Sequence, residues 1–406
     1  MSDLHAHTTA AHASIDKIHD DFTKWALKHD IQINNVGPAN LPGRGIGLVA
    51  QQNIRSRQLL VCVPVSAMAK PTKNEMKKIG MENASPQAQL AASLMWSMHA
   101  DPAQHEPWRA VWPTMDDFEQ CMPITWSAKL LGLLPDNTSH LVKRQQGDFE
   151  RDYKSTAHAN SALGAIITRR LFRYYWLIAN TRSFHWKAGG FKGTMVICPY
   201  FDYMNHCTFG TGCHVNQTST GYELVADRDY VPGEEICASY GPHSNDKLLI
   251  HYGFVLPLSP APTRDDEVRL DHLILPRLTT DQRSTLEERG FLGGYAIIPA
   301  ANEICFKTQV ALRILLFPKD VWEHFISYGE DPAGTNTSTK ADAFLLPLLV
   351  GYEESAQEKL RELTRLERDP TYAGHGTAFG LIRVRWEQII SVLDAIRPTI
   401  IPTPGG

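Results

Sequence analysis

The sequence has no long apolar run and no excess of charge of one sign. Its longest apolar stretches, such as Ala343 to Val350, fall well short of the about 20 residues needed to cross a bilayer, so no membrane-spanning helix is expected. The N-terminus lacks a basic region followed by an apolar one, so no secretory signal is expected. Lys and Arg number 40 against 44 Asp and Glu, a net charge of −4, which gives no overall field that favours nucleic acid. We therefore expect neither direct nucleic-acid binding nor membrane binding.

The seven cysteines contain no CxxC pair. An odd number in a chain of this size favours a reduced intracellular compartment, cytoplasmic or nuclear, over a disulfide scaffold. His206-Cys207 and Cys213-His214 have a composition that also suits zinc, but their spacing matches no standard zinc finger. Buried thiols beside a surface turn are the simpler interpretation, and no metal site is predicted.

With 406 residues, 43% hydrophobic and 21% charged, the chain is typical of a globular protein of two or three packed units. Residues 1–14 read as a mobile tail, and apolar residues at helical spacing predict a helix over 15–29. Strands are predicted at Leu59–Val63, at 195–198 and at two further segments, 222–226 and 235–238. Between the first strands and the later ones, the pattern over about 85–176 is helical and is divided by prolines.

A proline-rich run at 257–262 indicates a domain boundary. Beyond it, the polar segment Asp331 to Ala341 is expected to be a mobile loop, and residues 354–368 a charged helix. An apolar stripe then predicts a last helix that packs against a core, formed by Ile382, Trp386, Ile389, Leu393 and Ile396.

Five short motifs carry the residues of chemical interest. Gly43-Arg44-Gly45-Ile46-Gly47 offers backbone to which a ligand can come close, although Leu48 breaks the G-x-G-x-x-G nucleotide pattern. The others hold an arginine, an Asn-His pair and several aromatic rings; they are Thr181-Arg182-Ser183-Phe184, Asp202-Tyr203-Met204-Asn205-His206, Ala238-Ser239-Tyr240-Gly241 and His251-Tyr252-Gly253-Phe254. Gly233-Glu234-Glu235-Ile236 precedes the tyrosine motif. Aromatic rings can guide an amine and stabilise a sulfonium through their quadrupoles.

In this order the motifs resemble the two halves of a SET domain, and in particular the Rubisco large-subunit methyltransferase-like class. The resemblance implies an α+β protein: a SET-domain β fold with a pseudoknot over 15–260, a helical insertion at about 76–180, and an all-α substrate-binding domain over 261–402. It also implies an S-adenosyl-L-methionine-dependent protein N-methyltransferase, with lysine as the expected acceptor and a protein substrate as partner. Methyl transfer is an in-line displacement that needs positioning and exclusion of water rather than a metal or a covalent nucleophile.

Carried over residue by residue, the resemblance assigns Tyr240 as the catalytic tyrosine. It implies a cofactor-binding set of Arg44, Gly45, Ile46, Gly47, Arg182, Asp202, Asn205, His206, Tyr240 and Tyr252. The implied substrate channel is lined by Phe184, Phe201, Tyr252 and Phe254. For each, a structural role is the alternative: turn residues for the Asn-His pair, core packing for the tyrosines and a surface position for Arg182.

Two aromatic positions leave the acceptor open. At the position of Phe201 the lysine-modifying relatives have a small residue, whereas the histidine-modifying relative has a bulky aromatic, as this chain does. At the position of Phe184 this chain resembles the lysine enzymes instead. Protein-histidine methylation and a SET-fold enzyme that methylates or cyclises a small molecule therefore stay as alternatives, as does a non-enzymatic binding module.

Overall fold

The computed structural model describes residues 17–103, 105–187, 194–258, 262 and 264–400, and for residues 161 and 162 the backbone alone. The predicted tail over 1–14 lies outside these residues. The chain divides into two compact units, the first made of residues 1–118 and 145–242 and the second of 119–144 and 243–406. These units divide the chain at Pro242/His243, and the boundary proposed near residue 260 stays a prediction.

Helices and strands alternate in blocks along the chain. The helices are α1 (Lys17–Lys28), α2 (Lys73–Ile79), α3 (Pro86–Ala100), α4 (Glu106–Arg109), α5 (Met115–Cys121), α6 (Ala128–Leu131), α7 (Asp136–Ala157), α8 (Ser161–Ile166), α9 (Arg169–Arg182), α10 (Asn245–Tyr252), α11 (Asp271–Ile274), α12 (Thr280–Glu288), α13 (Phe306–Leu316), α14 (Lys319–Tyr328), α15 (Thr337–Leu366) and α16 (Gly376–Ile400). The strands are β1 (Gln32–Ile33), β2 (Val36–Leu41), β3 (Gly45–Ala50), β4 (Leu59–Pro64), β5 (Ser183–Trp186), β6 (Thr194–Ile197), β7 (Asn205–His206), β8 (His214–Gln217), β9 (Gly221–Val225), β10 (Glu235–Ala238), β11 (Val268–Arg269), β12 (Ala296–Ile298) and β13 (Glu303–Ile304). Among the described residues no helix is long and apolar enough to span a membrane.

The first unit is built on small sheets whose strands come from distant parts of the sequence. One sheet has the order β1-β4-β9-β8, another has the order β2-β3-β10-β7, and β5 pairs with β6. The predicted strands at 59–63, 195–198, 222–226 and 235–238 correspond to β4, β6, β9 and β10. Strand β10 pairs antiparallel with β3 and parallel with β7, so it joins the two halves of the unit.

The insertion between β4 and β5 is helical, as predicted, and its helices begin where side chains can cap them. Thr72 forms a capping box with Glu75 at the start of α2, and the Ser85 hydroxyl accepts a hydrogen bond from the amide of Ala88 at the start of α3. Such caps satisfy backbone amides that have no partner within the helix. Local sequence therefore defines where these helices start, while burial of apolar faces holds them together.

The second unit is mainly helical around one hydrophobic core. The predicted stripe on the last helix is confirmed, because Ile382, Trp386, Ile389, Leu393 and Ile396 are each at most 1% exposed on α16. The prediction of an all-helical domain missed one feature, a small sheet of order β11-β12-β13. Strands β12 and β13 form a hairpin whose turn includes Asn302 at φ 50°, a conformation that asparagine tolerates. These strands are two or three residues long, too short to show a period in the sequence.

The expectation of a mobile loop over Asp331 to Ala341 was wrong for residues 337–341, which are helical. The Asn336 side chain caps α15, which begins at Thr337 and ends at Leu366, within the charged segment predicted at 354–368. Asp331 accepts hydrogen bonds from the buried guanidinium of Arg313 at 2.8 and 3.0 Å and from the amide of Ser338 at 3.0 Å. A tertiary ion pair therefore orders a segment whose composition alone is typical of a loop.

The Asp331 carboxylate predicts how acid affects this part of the second unit. Burial acts to raise the pKa of Asp331, but hydrogen bonds from Thr337, Arg313 and Ser338 outweigh it and lower the pKa to about 2. A lowered folded-state pKa contributes stability that is present above the unfolded value of about 3.9 and is lost as the pH falls towards 2. We expect Asp331→Asn to reduce the free energy of unfolding at pH 7 and to flatten its fall between pH 4 and 2, measured by urea denaturation. The exposed Asp320 on α14 supplies a control, and equal profiles for Asp331→Asn and Asp320→Asn would contradict this prediction.

Candidate active site

The glycine-rich motif forms the turn of the β2–β3 hairpin. Gly43 and Gly45 have φ of 73° and 72°, which glycine adopts without strain, and open space surrounds both. Gly47 is different: an added Cβ there would lie 2.7 Å from Nδ2 of Asn205. The hairpin backbone at Gly47 therefore lies directly against the Asn205 side chain, while Ile46 before it is half-buried.

Strand pairing brings the Asn-His motif to the same place. In the parallel pair of β10 and β7, Cys237 is opposite Asn205 and Ala238 is opposite His206. The Asn205 amide donates to Oε1 of Glu235 at 3.0 Å, and Arg44 donates to the same oxygen at 3.1 Å. Arg44 also donates to the carbonyl of His206 at 2.9 Å. Glu235 thus joins the hairpin turn to the Asn-His strand.

Tyr240 lies two residues beyond the end of β10 and is held by the same motif. Its amide donates to Nδ1 of His206 at 3.0 Å, and its hydroxyl donates to the carbonyl of Met204 at 2.5 Å. The rings of His206 and Tyr240 have centroids 5.1 Å apart. Both ends of the tyrosine are therefore fixed by residues of the segment that the sequence analysis assigned to cofactor binding.

Arg182 and Asp202 form a second, more deeply buried pair. The Asp202 side chain is 2% exposed; it accepts a hydrogen bond from Nε1 of Trp108 at 3.2 Å and lies 3.7 Å from Nη1 of Arg182. Burial raises the pKa of Asp202, and the charge of Arg182 opposes that rise. Nη1 of Arg182 also donates to the Asp202 carbonyl at 2.8 Å, whereas its buried Nε has no hydrogen-bond partner among the described residues.

The backbone just before this pair is strained. Tyr200 is fully buried at φ 72° and ψ −31°, a region that a bulky residue rarely adopts. Its ring packs edge-on against Tyr203, with centroids 5.4 Å apart, and lies 6.0 Å from Phe22. Such strain persists where the surrounding packing determines the conformation, and here it sets the direction of the chain as it enters Phe201 and Asp202.

The predicted channel residues Phe184 and Phe201 contact each other. Their ring centroids are 5.8 Å apart in an edge-to-face arrangement, and Phe201 is 1% exposed. Tyr222 packs against both rings at 5.6 and 6.1 Å, and its hydroxyl donates to the carbonyl of His185 at 2.6 Å. Trp186 extends this aromatic cluster at 5.5 Å from Tyr222.

Tyr252 and Phe254 belong to the second unit, where they lie at the end of α10. Their ring centroids are 6.3 Å apart, and Tyr252 lies 5.9 Å from the ring of His243. Burial raises the pKa of Tyr252, so its hydroxyl stays protonated. Gly253 between them ends the helix at φ 78°, and an added Cβ would lie 2.8 Å from Sγ of Cys121. Glycine is therefore required at this position.

A buried ionic network fixes α10 within the second unit. Arg385 on α16 donates to Asp246 at 2.8 Å and to Asp266 at 3.0 Å, and the exposed fraction of all three side chains is 2% or less. Asn245 donates to the carbonyl of Leu256 at 3.0 Å and accepts from its amide at 2.7 Å. The segment that carries Tyr252 and Phe254 is thus held at both ends.

Sequence reasoning missed three residues that contact the predicted ones: Trp108, Tyr222 and Glu235. Glu235 lies in a motif that was noted but given no role, and its alternation with buried Ile236 in β10 was a usable signal. Trp108 and Tyr222 contact their partners only through tertiary packing. No local pattern indicates either of them.

Residues 45–241 match the family model described as SET domain. SET domain-containing protein 4 of Homo sapiens is 23% identical over 261 residues, which are 59% of this chain and 59% of that protein. The ribosomal lysine N-methyltransferase set11 of Schizosaccharomyces pombe is 28% identical over 199 residues, 48% of each chain. The chain therefore spans about half to three-fifths of the length of these curated relatives.

Among solved structures, Rubisco LSMT bound to sinefungin and monomethyllysine matches 95% of this chain and 93% of its own, with a TM-score of 0.64 and 15% identity. At that identity the likeness concerns the fold. The family model covers β3 through Gly241, which includes Gly45 to Gly47, the Asn-His strand and Tyr240. Residues 45–241 thus match the SET-domain family model, and the fold of the chain is similar to that of Rubisco LSMT.

Proposed function

We propose that this protein is an S-adenosyl-L-methionine-dependent protein N-methyltransferase whose acceptor is a lysine side chain. The observation that carries the proposal is the way β7 and β10 bring Asn205, His206 and Tyr240 together beside the backbone of Gly47. The relative set11 is described as a ribosomal lysine N-methyltransferase, and the LSMT structure contains monomethyllysine.

The residues of the first unit fit such a cofactor. Gly47 leaves no Cβ between the hairpin and Asn205, and the turn at Gly45 is open on its outer side. The buried Nε of Arg182 keeps a donor available, which suits a carboxylate. When bound, S-adenosylmethionine supplies a methyl group activated by its sulfonium.

We assign the remaining roles from these contacts. Asn205, Asp202 and the backbone of His206 would bind polar groups of the cofactor, with Arg44, Gly45 and Ile46 forming the covering turn. Tyr240, fixed by Met204 and His206, would orient the acceptor nitrogen through its hydroxyl. Phe184 and Phe201 would line an aromatic channel that excludes water and accepts an amine. The cofactor and channel roles that the sequence assigns to Tyr252 and the channel role of Phe254 stay predictions.

The acceptor must arrive without its proton. A lysine amine has a pKa of about 10.4 in water, and an apolar aromatic surrounding disfavours its charged form. The rings of Phe184, Phe201 and Tyr222 form such a surrounding in the first unit. The channel would thereby lower the pKa of the amine and leave its lone pair available.

The proposal predicts transfer of radiolabelled methyl from S-adenosylmethionine to protein when the purified chain is incubated with a cell lysate. Acid hydrolysis and amino-acid analysis then identify the labelled residue, which we expect to be methyllysine. Label in methylhistidine would contradict the lysine acceptor, and label only in small molecules would contradict a protein substrate. No label with enzyme that binds the cofactor would contradict protein methylation altogether.

A further inference from the structure

Cys207 and Cys237 lie on neighbouring strands beside the residues proposed to bind the cofactor. Cys207 directly follows His206 at the end of β7, and Cys237 lies in β10 opposite Asn205. The amide of Cys207 donates to the carbonyl of Ala238 at 3.2 Å, which continues the pairing past the end of β7. The two thiols are therefore close in space although 30 residues separate them in sequence.

The loop that follows Cys207 folds back over both cysteines. Sγ of Cys207 donates to the carbonyl of Thr211 at 3.2 Å, and the amide of Cys213 donates to the carbonyl of Cys237 at 2.9 Å. A Cβ added to Gly212 would lie 2.3 Å from Sγ of Cys207 and 2.7 Å from the carbonyl oxygen of Cys237. The sulfur of Cys207 and the backbone carbonyl of Cys237 thus both lie within 3 Å of the position that a Cβ of Gly212 would occupy.

The two thiols also interact with each other, and this interaction moves their pKa values in opposite directions. A hydrogen bond from Cys237 lowers the pKa of the Cys207 thiol, and the same contact together with burial raises the pKa of Cys237. Both residues are half-buried, so small reagents can reach them, whereas Cys198 and Cys213 are buried. A partly exposed thiolate beside a second thiol is the arrangement of reactive cysteine pairs.

We propose that Cys207 and Cys237 are a redox modification site at which a peroxide forms a reversible disulfide. The Cys207 thiolate attacks one oxygen of hydrogen peroxide and breaks the O–O bond, leaving a sulfenic acid and a hydroxide that takes up a proton to become water. The Cys237 sulfur then attacks the Cys207 sulfur, and its proton leaves with the sulfenic hydroxyl as a second water. Two thiols and one peroxide thereby give one disulfide and two waters.

The disulfide would change the cofactor site, a consequence that rests on the proposed function. A disulfide requires a sulfur separation of about 2.05 Å, much shorter than a hydrogen-bonded contact between thiols. Closing that distance pulls the end of β7 towards β10, where the 3.0 Å hydrogen bond joins the amide of Tyr240 to His206. We expect the oxidised protein to bind S-adenosylmethionine at least about tenfold more weakly.

The modification itself is tested by mass spectrometry on the full chain. The reduced protein is treated with hydrogen peroxide, its remaining thiols are alkylated, and it is digested without reductant. We expect a cross-linked peptide pair containing Cys207 and Cys237, lighter than the two free peptides by two hydrogens and lost after dithiothreitol. The inference is overturned if both thiols stay open to alkylation at peroxide doses that oxidise other cysteines, or if the cross-link joins a different pair.

Two variants separate the roles of the thiols. Cys237→Ser should halt oxidation at the Cys207 sulfenic acid, which dimedone traps, because the second sulfur is missing. Cys62→Ser removes a half-buried cysteine elsewhere in the first unit and should still give the cross-link. A cross-link of Cys207 that persists in Cys237→Ser would contradict the pairing. If either variant fails to fold, the peptide map of the wild-type protein still tests whether the disulfide forms.

Calorimetry with S-adenosylmethionine then distinguishes this inference from the proposed function. Reduced protein should bind, oxidised protein should bind weakly, and dithiothreitol should restore binding; peroxide should not weaken binding to Cys207→Ser. If the reduced protein does not bind, the proposed function fails while the cross-link remains a valid finding. Cross-linked protein that binds with undiminished affinity would overturn the effect on the site.

Discussion

Replacing Tyr240 by phenylalanine is expected to slow methyl transfer by about 10²–10³, with almost no change in the Kd for S-adenosylmethionine. The hydroxyl donates to the carbonyl of Met204, so its position is fixed before an acceptor arrives. If it orients the acceptor nitrogen, its loss affects the transition state more than the bound cofactor. Single-turnover rates and calorimetry on the same preparation measure the two effects separately.

The control is Tyr328→Phe, because Tyr328 is 70% exposed in the second unit. That variant should keep the wild-type rate, Kd and Tm. A structural role for Tyr240 predicts instead a lowered Tm, with rate and cofactor affinity falling together. A Tyr240→Phe enzyme with full activity would end the catalytic assignment.

Asn205→Ala should give the opposite pattern and weaken cofactor binding first. Its amide lies against Gly47 and donates to Glu235, so it belongs to the surface that would hold the cofactor before and during transfer. We expect a raised Kd, with much of the single-turnover rate retained at saturating cofactor. The Kd and the single-turnover rate are therefore compared between Asn205→Ala and Tyr240→Phe. Identical defects in the two variants would contradict separate roles for the two residues.

Arg385→Met is expected to lower the free energy of unfolding by about 3–5 kcal/mol, because it leaves two buried carboxylates without their cation. Arg385 donates to Asp246 at 2.8 Å and to Asp266 at 3.0 Å, and Thr138 adds a further hydrogen bond to Asp246 at 2.8 Å. Burial acts to raise the pKa of Asp246, but Arg385 outweighs it and the pKa is lowered. The folded state thus depends on the ionised form of Asp246.

Guanidinium chloride denaturation measures this loss, and the same helix supplies a matched control. Arg397 on α16 is 28% exposed and pairs with Glu353 and Asp394. Arg397→Met should cost about 1 kcal/mol, since a pair that is partly open to solvent contributes less than a fully buried one. Equal losses for the two variants would show that burial of the network is not what makes it stabilising.

Through the same network, Arg385 also positions helix α10 in the second unit. Asn245 and Asp246 begin α10, and that helix ends at Tyr252. Where Arg385→Met still folds at low temperature, we expect the Tyr252 region to exchange its amide hydrogens faster than in the wild type, measured by hydrogen exchange. Arg397→Met again serves as the comparison, and unchanged exchange along α10 would contradict the positioning role.

Local pattern was sufficient for the long elements. The stripe from Ile382 to Ile396 has the helical period over several turns, so its burial on α16 followed from the residues themselves. Strands such as β10 were also predictable, because short β-branched and apolar runs lie between turn residues. The order and identity of the motifs then indicated a SET domain, and residues 45–241 match that family model.

Local pattern was insufficient wherever a partner lies far along the chain. Asp331 to Ala341 has the composition of a loop, yet the buried Arg313 orders it from outside. Strands β11 to β13 are too short to show a period, and pairing with one another stabilises them. Nothing near Trp108 in sequence indicates that it contacts Asp202. The alternation in β10 places Glu235 on the face opposite Ile236, but it does not indicate the contact with Asn205.

The sequence by itself determined the long helices, because periodicity depends on neighbours along the chain. The fold class and the candidate residues followed from the resemblance of its short motifs to those of SET domains. Tertiary structure alone decided which residues meet: Glu235 with Arg44 and Asn205, Tyr222 with the phenylalanines, and Arg385 with its two aspartates. The pairing of Cys207 with Cys237 is of the same kind, since it arises from the parallel contact of β7 and β10. The physical reason is that burial and hydrogen bonding act between groups close in space, whatever their separation in sequence.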